Sequence, residues 1–192
     1  DSETLRHTEF FITRVLPLFR KDPNDKALLV FLRSDNGEMA SSKVQQRLAR
    51  ARIVSEFTCP YTPEQNGVAE RLNRTIDNMA ATMLTMARLP EHFWKEASAH
   101  ATLILNVTPW KKEGKFQMDS YSRLTGRVFP YHLLRIFGSK AFVYDTQRDT
   151  SNLTARALQG IFCGFAKNMI TEVSWAYRIY IPTQHRFIHS GY

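Results

Sequence analysis

Two carboxylates in this sequence stand where they could do chemistry. Asp35 lies in Arg33-Ser34-Asp35-Asn36-Gly37, just beyond an apolar run, and Glu70 comes three residues after Gly67, at the start of a long amphipathic stretch. Carboxylate oxygens are the ligands that hard divalent cations prefer, and a pair of such ions about 3.5 to 4 Å apart stabilises both the attacking and the leaving oxygen of a phosphoryl transfer. That chemistry needs acids from separate elements that converge at one edge of a sheet. Taken singly, each acid has a local explanation: Asp-Asn-Gly is a common turn after a strand, and the helix dipole favours a Glu in a first helical turn.

The elements that must position these acids are legible in the hydrophobic pattern. Leu5, Ile12, Val15, Leu16 and Phe19 recur at helical spacing and predict an amphipathic helix from Ser2 to Arg20, ended by Asp22-Pro23-Asn24-Asp25. The unbroken apolar run from Ala27 to Leu32 predicts a strand buried on both faces, with Asp35 at its carboxyl end, where ligands of open α/β sheets bind. Ser41 is a candidate cap for a helix to about Ile53, with Val44, Leu48 and Ala51 on one face and Lys43, Arg47 and Arg50 on another. On their own these three cations read as a solvated outer face. A short strand from Ile53 to Thr58 and a loop from Pro60 to Gly67 lead to a long helix, Gly67 to Ala87, with Val68, Leu72, Ile76, Met79 and Met83 along its inner face. Its methionines read as core fillers.

Pro90 opens a further helix, whose Phe93, Trp94, Ala97, Ala101, Leu103, Ile104 and Leu105 predict burial between other elements. Beyond Leu134 the pattern changes to short strands, Ile136 to Tyr144, Ile161 to Phe165, Trp175 to Ile181 and Arg186 to His189, as in a small antiparallel barrel or sheet. The expected division is a core over 1–110, a linker over 111–133 and a β-rich subdomain over 134–192. Trp94, Trp110 and Trp175 are expected as core or subdomain contacts rather than base-stacking platforms.

Composition sets outer bounds. The 26 Lys and Arg against 18 Asp and Glu give +8 and a pI near 9.7, a field that draws polyanions. Cys59 and Cys163 are too few for a disulfide framework or a four-ligand zinc site, and the six histidines lack ligand spacing with them. No apolar run approaches the roughly 20 residues of a membrane span, and no secretory signal is read at the amino end. The chain opens at Asp1 without a Met, so the numbering is expected to start inside a larger polypeptide.

Longer motifs raise the weight of the two acids. Arg33 to Gly37, followed by Pro60-Tyr61-Thr62-Pro63-Glu64-Gln65-Asn66-Gly67-Val68-Ala69-Glu70-Arg71-Leu72-Asn73-Arg74-Thr75, closely resembles the second and third acidic motifs of copia-type retrotransposon integrases. The resemblance continues through Phe93-Trp94-Lys95-Glu96-Ala97, Leu105-Asn106 with Pro109, Leu134 to Gly138, Gly160 to Phe165 and Tyr177 to Pro182. It covers nearly the whole chain and is weakest between Lys111 and His132.

The resemblance implies an α/β, ribonuclease H-like integrase core, here partial, followed by a small antiparallel β subdomain. In such polyprotein-derived enzymes three carboxylates hold Mg2+ or Mn2+, process the ends of element DNA and join them to a target. Carried over by motif, Asp35 would be the second ligand and Glu70 the third, with Pro63, Gln65, Asn66 and Gly67 forming a flexible active-site loop. Arg71 and Arg74 would reach substrate phosphates, and Lys43, Arg47 and Arg50 would extend the DNA-binding track. DNA, further copies of the chain when full length, and a nuclear site of action after a cytoplasmic particle phase are the implied partners and location.

Against the family's pattern, the first catalytic Asp is expected upstream of Asp1, the Asp35-to-Glu70 interval is one residue short, and Met118-Asp119-Ser120-Tyr121-Ser122 stands where a Thr-Pro-aromatic-Glu motif is usual. The chain alone is therefore expected to be inactive in strand transfer. A non-enzymatic nucleic-acid-binding remnant and a protein-contacting scaffold remain as alternatives.

Overall fold

Val30 pairs in register with Ile53, and from that pair two strands run parallel, β1 (Val30–Ser34) and β2 (Ile53–Phe57). The computed structural model describes residues 2–19, 30–34, 37–58, 67–144, 157–166 and 176–191. The chain divides into two compact units, Asp1–Asn73 and Arg74–Tyr192.

Parallel neighbours need a crossover, and in the first unit α3 (Ser42–Arg50) supplies it. Val44 and Leu48, one helical turn apart, are fully buried with Ile53 and Leu16. Ser41 holds the extended backbone of a cap, as predicted, but its side chain makes no capping bond. Arg52, with φ 58, turns the chain from α3 into β2. The predicted first helix is present as α1 (Ser2–Phe10), a π turn (Phe11–Val15) and α2 (Leu16–Phe19). The wider turn broadens the apolar stripe, so that Phe11 joins Leu5, Ile12 and Leu16 against α3. Of the predicted Ala27 to Leu32 strand, residues 27–29 lie outside the described residues, and β1 extends past Leu32 to Ser34.

The first unit ends within α4 (Gly67–Ala87), whose bounds match the predicted helix. The predicted inner stripe is only half realised. Val68 and Leu72 are 76% and 52% exposed, whereas Ala80 is buried and Met83, Leu84 and Ala87 pack against Phe93, Ala97, Phe137 and Cys163. Helical periodicity marks a face capable of burial, but the covering surface reaches only the later turns.

In the second unit, α5 (Trp94–Val107) presents Ala97 and Ala101, both fully buried, and packs on both β6 (Ala157–Phe165) and α6 (Ser120–Thr125). Four strands form an antiparallel meander in chain order: β5 (Lys140–Tyr144), β6, β7 (Tyr177–Ile181) and β8 (Arg186–Ser190). The Arg178 guanidinium on β7 meets the Glu96 carboxylate on α5 at 3.0 Å and lies over the Phe187 ring, which ties sheet to helix. A methyl at Gly160 would sit 2.4 Å from Ile179, so a side chain there would force the strands apart. The predicted barrel or sheet is thus a sheet.

Three expectations for this region differ from the arrangement seen. The expected division is at 110, whereas the two compact units meet between Asn73 and Arg74, with the later turns of α4 and Ala97 of α5 packed in one core with Phe137 and Cys163. Residues 111–133 are not a plain linker: they hold a hairpin of β3 (Trp110–Lys112) and β4 (Lys115–Gln117), then α6, and Tyr121 and Phe129 form a small core with Val107. Asp119 caps α6 through Ser122 N at 2.8 Å and Ser122 Oγ at 2.7 Å, so the residue that departs from the integrase pattern has a local structural task. Finally, Trp94 and Trp110 are 56% and 42% exposed rather than core contacts, since Phe93 takes the inward position beside Trp94. Trp175 lies outside the described residues.

Candidate functional site

The carboxyl end of the parallel pair is closed by a hydrogen bond from Thr58 N to Ser34 O at 3.0 Å. One residue earlier, Arg33 and Glu56 are register partners, and their side chains pair at 2.9 Å across the exposed face. Sequence reading missed this pair, because its members are 23 residues apart and only strand register brings them together. Asp35 and Asn36 follow directly in the chain but lie outside the described residues, as do Cys59, Pro63, Gln65 and Asn66. The flexible-loop assignment is therefore described only at Gly67.

Gly67, Glu70, Arg71 and Arg74 occupy the first two turns of α4. Glu70 is exposed and stands in the first turn, where the unsatisfied backbone N–H groups favour a negative charge. A methyl at Gly67 would meet Arg71 Nη1 at 3.2 Å, so that guanidinium lies back over the helix start. Arg74 is exposed and shares the face of Glu70, one turn on. Two carboxylates, with hard oxygen donors, are the right donor chemistry for Mg2+ or Mn2+. Among the described residues there is no group of three or more His, Cys, Asp or Glu placed to hold a metal ion, and Asp35 is not one of those residues.

The three cations of α3 separate. Lys43 and Arg50 are exposed, as a polyanion track requires. Arg47 instead turns toward α1: its guanidinium forms two hydrogen bonds with the Glu9 carboxylate, Nη2 to Oε1 at 2.5 Å and Nε to Oε2. The bond from Arg47 holds the Glu9 carboxyl below its ordinary range, and Glu9 raises Arg47 in return. In this structure Arg47 clamps two helices, and that partner was not visible in the spacing of α3 alone.

His100, unremarkable in sequence, is buried among Phe137, Phe162 and Phe165. Burial pushes its pKa down to about 4, partly offset by a hydrogen bond to the Arg135 backbone, so it is a neutral core residue. Cys163 is a buried free thiol raised to about 11, chiefly by burial, and is not poised as a nucleophile.

No protein-family model matches the chain. Its sequence is similar to the retrovirus-related Pol polyprotein from transposon TNT 1-94 of Nicotiana tabacum, with 34% identity over 161 residues, covering 83% of this chain and 12% of that polyprotein. The corresponding polyprotein from transposon RE2 of Arabidopsis thaliana is 30% identical over 132 residues, 68% of this chain and 9% of the relative. That from RE1 of the same plant is 29% identical over 142 residues, 70% of this chain and 9% of the relative. Among solved structures, one chain of a simian T-cell lymphotropic virus intasome in complex with PP2A regulatory subunit B56 gamma superposes with a TM-score of 0.48 at 16% identity, over 99% of this chain and 61% of that one. That likeness is too slight to fix a fold. The chain spans about a tenth of the length of the polyproteins it matches, 9 to 12%. Over most of its length it is homologous to one segment of the retrovirus-related Pol polyproteins of plant transposons.

Proposed function

We propose that the chain is the integrase segment of such a polyprotein, of ribonuclease H-like type, and that Asp35 and Glu70 are carboxylate ligands of Mg2+ or Mn2+ in DNA processing and joining. What supports this reading is the order of the elements in the first unit. Asp35 follows directly on β1 at the carboxyl end of a parallel pair, and Glu70 stands exposed in the first turn of the helix that follows β2. Ligands of open α/β sheets bind beyond that end of the strands.

When bound, the cation supplies positive charge that stabilises the attacking and leaving oxygens of phosphoryl transfer. The residues of the chain do the positioning. Glu70 and Asp35 fix the ion, Arg71 and Arg74 orient DNA phosphates, and Pro63, Gln65, Asn66 and Gly67 shape the approach. Lys43 and Arg50, exposed on α3, extend the contact to the DNA backbone. Three carboxylates are called for by the resemblance and two are identified, so these 192 residues alone are proposed not to complete strand transfer. Further copies of the chain and a nuclear site of action belong to the same reading.

Manganese binding, followed by the loss of the free-ion electron paramagnetic resonance signal, tests the site in the chain as it stands. Glu70→Gln and Asp35→Asn are each expected to weaken binding, since each removes a charged oxygen ligand and affinity follows ligand charge count. Unchanged binding in both variants would sink the assignment. Metal-dependent joining of labelled DNA by the purified chain, abolished by Glu70→Gln, would overturn the view that it is incomplete.

A further inference from the structure

The hairpin β3–β4 carries charge and aromatic surface that the carboxylate site does not use. Trp110 pairs with Gln117, Lys111 with Phe116 and Lys112 with Lys115. Cross-strand partners share a face, so Trp110, Lys112 and Lys115 lie on one side of the ribbon and Lys111 and Phe116 on the other. Every residue of the two strands is exposed except Gln117, which is half-buried, and Phe116 is 73% exposed. The turn residues Glu113 and Gly114 have φ 51 and 78, the paired left-handed geometry of a tight two-residue hairpin. A methyl built on Gly114 meets nothing within 4 Å, so the tip projects into open space.

Two features of this ribbon are costly without a partner. Lys112 and Lys115 are directly opposed like charges, an arrangement that destabilises a strand pair. Trp110 and Phe116 expose ring surface, and the Lys111 ammonium lies 4.8 Å from the Phe116 ring centre. A polyanion relieves the first. Flat, stackable rings satisfy the second. A duplex hides its base faces, whereas a single strand offers both phosphates and unstacked bases, and aromatic platforms among cations are how such strands are held.

We infer that the β3–β4 hairpin is a single-stranded nucleic-acid contact, with Lys111, Lys112 and Lys115 on phosphates and Trp110 and Phe116 stacking on bases. This deepens the proposed action on DNA and rests on that reading only for the choice of DNA as the probe. Hairpin and carboxylate site are separate in sequence and are read by separate experiments.

Fluorescence anisotropy of the 192-residue chain with a labelled single-stranded DNA oligonucleotide, the matching duplex, and anionic phosphatidylserine vesicles tests the inference. The chain is expected to prefer the single strand. Lys112→Ala with Lys115→Ala should weaken that binding and make its logarithmic salt dependence shallower by about 1.4, the counterion release of two phosphate contacts. Trp110→Ala and Phe116→Ala should each cost at least about fivefold, with the salt slope unchanged. Because these side chains are exposed, the Trp110 and Phe116 variants should melt close to the parent, and Lys112→Ala with Lys115→Ala, which removes the opposed charges, should melt at or above it. Undiminished binding in all the variants, equal or tighter binding of the duplex, preference for vesicles, or no binding of the single strand at low salt would each overturn the assignment. None of these outcomes touches the manganese measurement, which reads Asp35 and Glu70 alone.

Discussion

Arg47 and Glu9, 38 residues apart in sequence, close on each other as a two-pronged ion pair that fastens α3 to α1. Both side chains stay partly exposed, so the pair is a clamp at the rim of the apolar contact formed by Leu5, Leu16, Val44 and Leu48.

Its consequence is a division of labour on α3. Arg47→Ala and Glu9→Gln are expected to lower the thermal midpoint modestly, and Arg47→Lys to recover only part of the loss, since an ammonium cannot reproduce the forked contact. The Glu9 carboxyl is held low by Arg47, so its stabilisation is present above the ordinary carboxylate range and is lost as pH falls through the depressed value. Acid unfolding followed by circular dichroism should therefore be shallower for Glu9→Gln than for the parent. An equal acid response in the two proteins would remove the clamp from the account.

His100 gives the second unit a sensitivity at milder pH. It is neutral in the fold down to about 4, whereas the unfolded chain takes up its proton near 6.5. Between those values the unfolded state binds more protons, so stability falls as pH drops through the window and levels off below it. The full effect is roughly 3 kcal/mol. Urea unfolding at pH 7 and pH 4.5 should show most of this difference in the parent and little of it in His100→Phe. A parent stability that does not change across the window would refute the buried, neutral assignment.

Gly138 is predicted to accept no side chain. Its φ is 80, a Cβ there would lie 2.2 Å from Ala87 Cβ, and its N–H donates to Phe162 O at 2.8 Å. Strain and overlap act together, so Gly138→Ala should cost about 2 kcal/mol or more in chemical denaturation. Tolerance of the alanine would mean that α4 and the start of the meander are not packed as described. The double change Gly138→Ala with Ala87→Gly, which removes the overlap but not the strain, should recover part of the loss.

What the sequence determined by itself was local. The bounds of α4 followed from helical periodicity beginning at Gly67, the strand before Asp35 from an apolar run, and the meander from short aromatic segments separated by Gly and Pro. The motifs around Asp35 and Glu70 pointed to a family by resemblance, because a block as long as Pro60 to Thr75 seldom matches by chance. Tertiary structure decided which of those local faces acquired a partner. Val68 and Leu72 continue the stripe of Ala80 and Met83 yet remain exposed, and Arg47 lies on the same helical face as Lys43 and Arg50 yet is taken by Glu9. The hairpin at Trp110 to Gln117 was hidden for a related reason: three-residue strands carry too short a pattern to distinguish from a loop, and only pairing across the Glu113-Gly114 turn makes them one surface. Periodicity records what a segment is able to bury, whereas burial, ion pairing and register depend on residues far away in the chain that meet it only after folding.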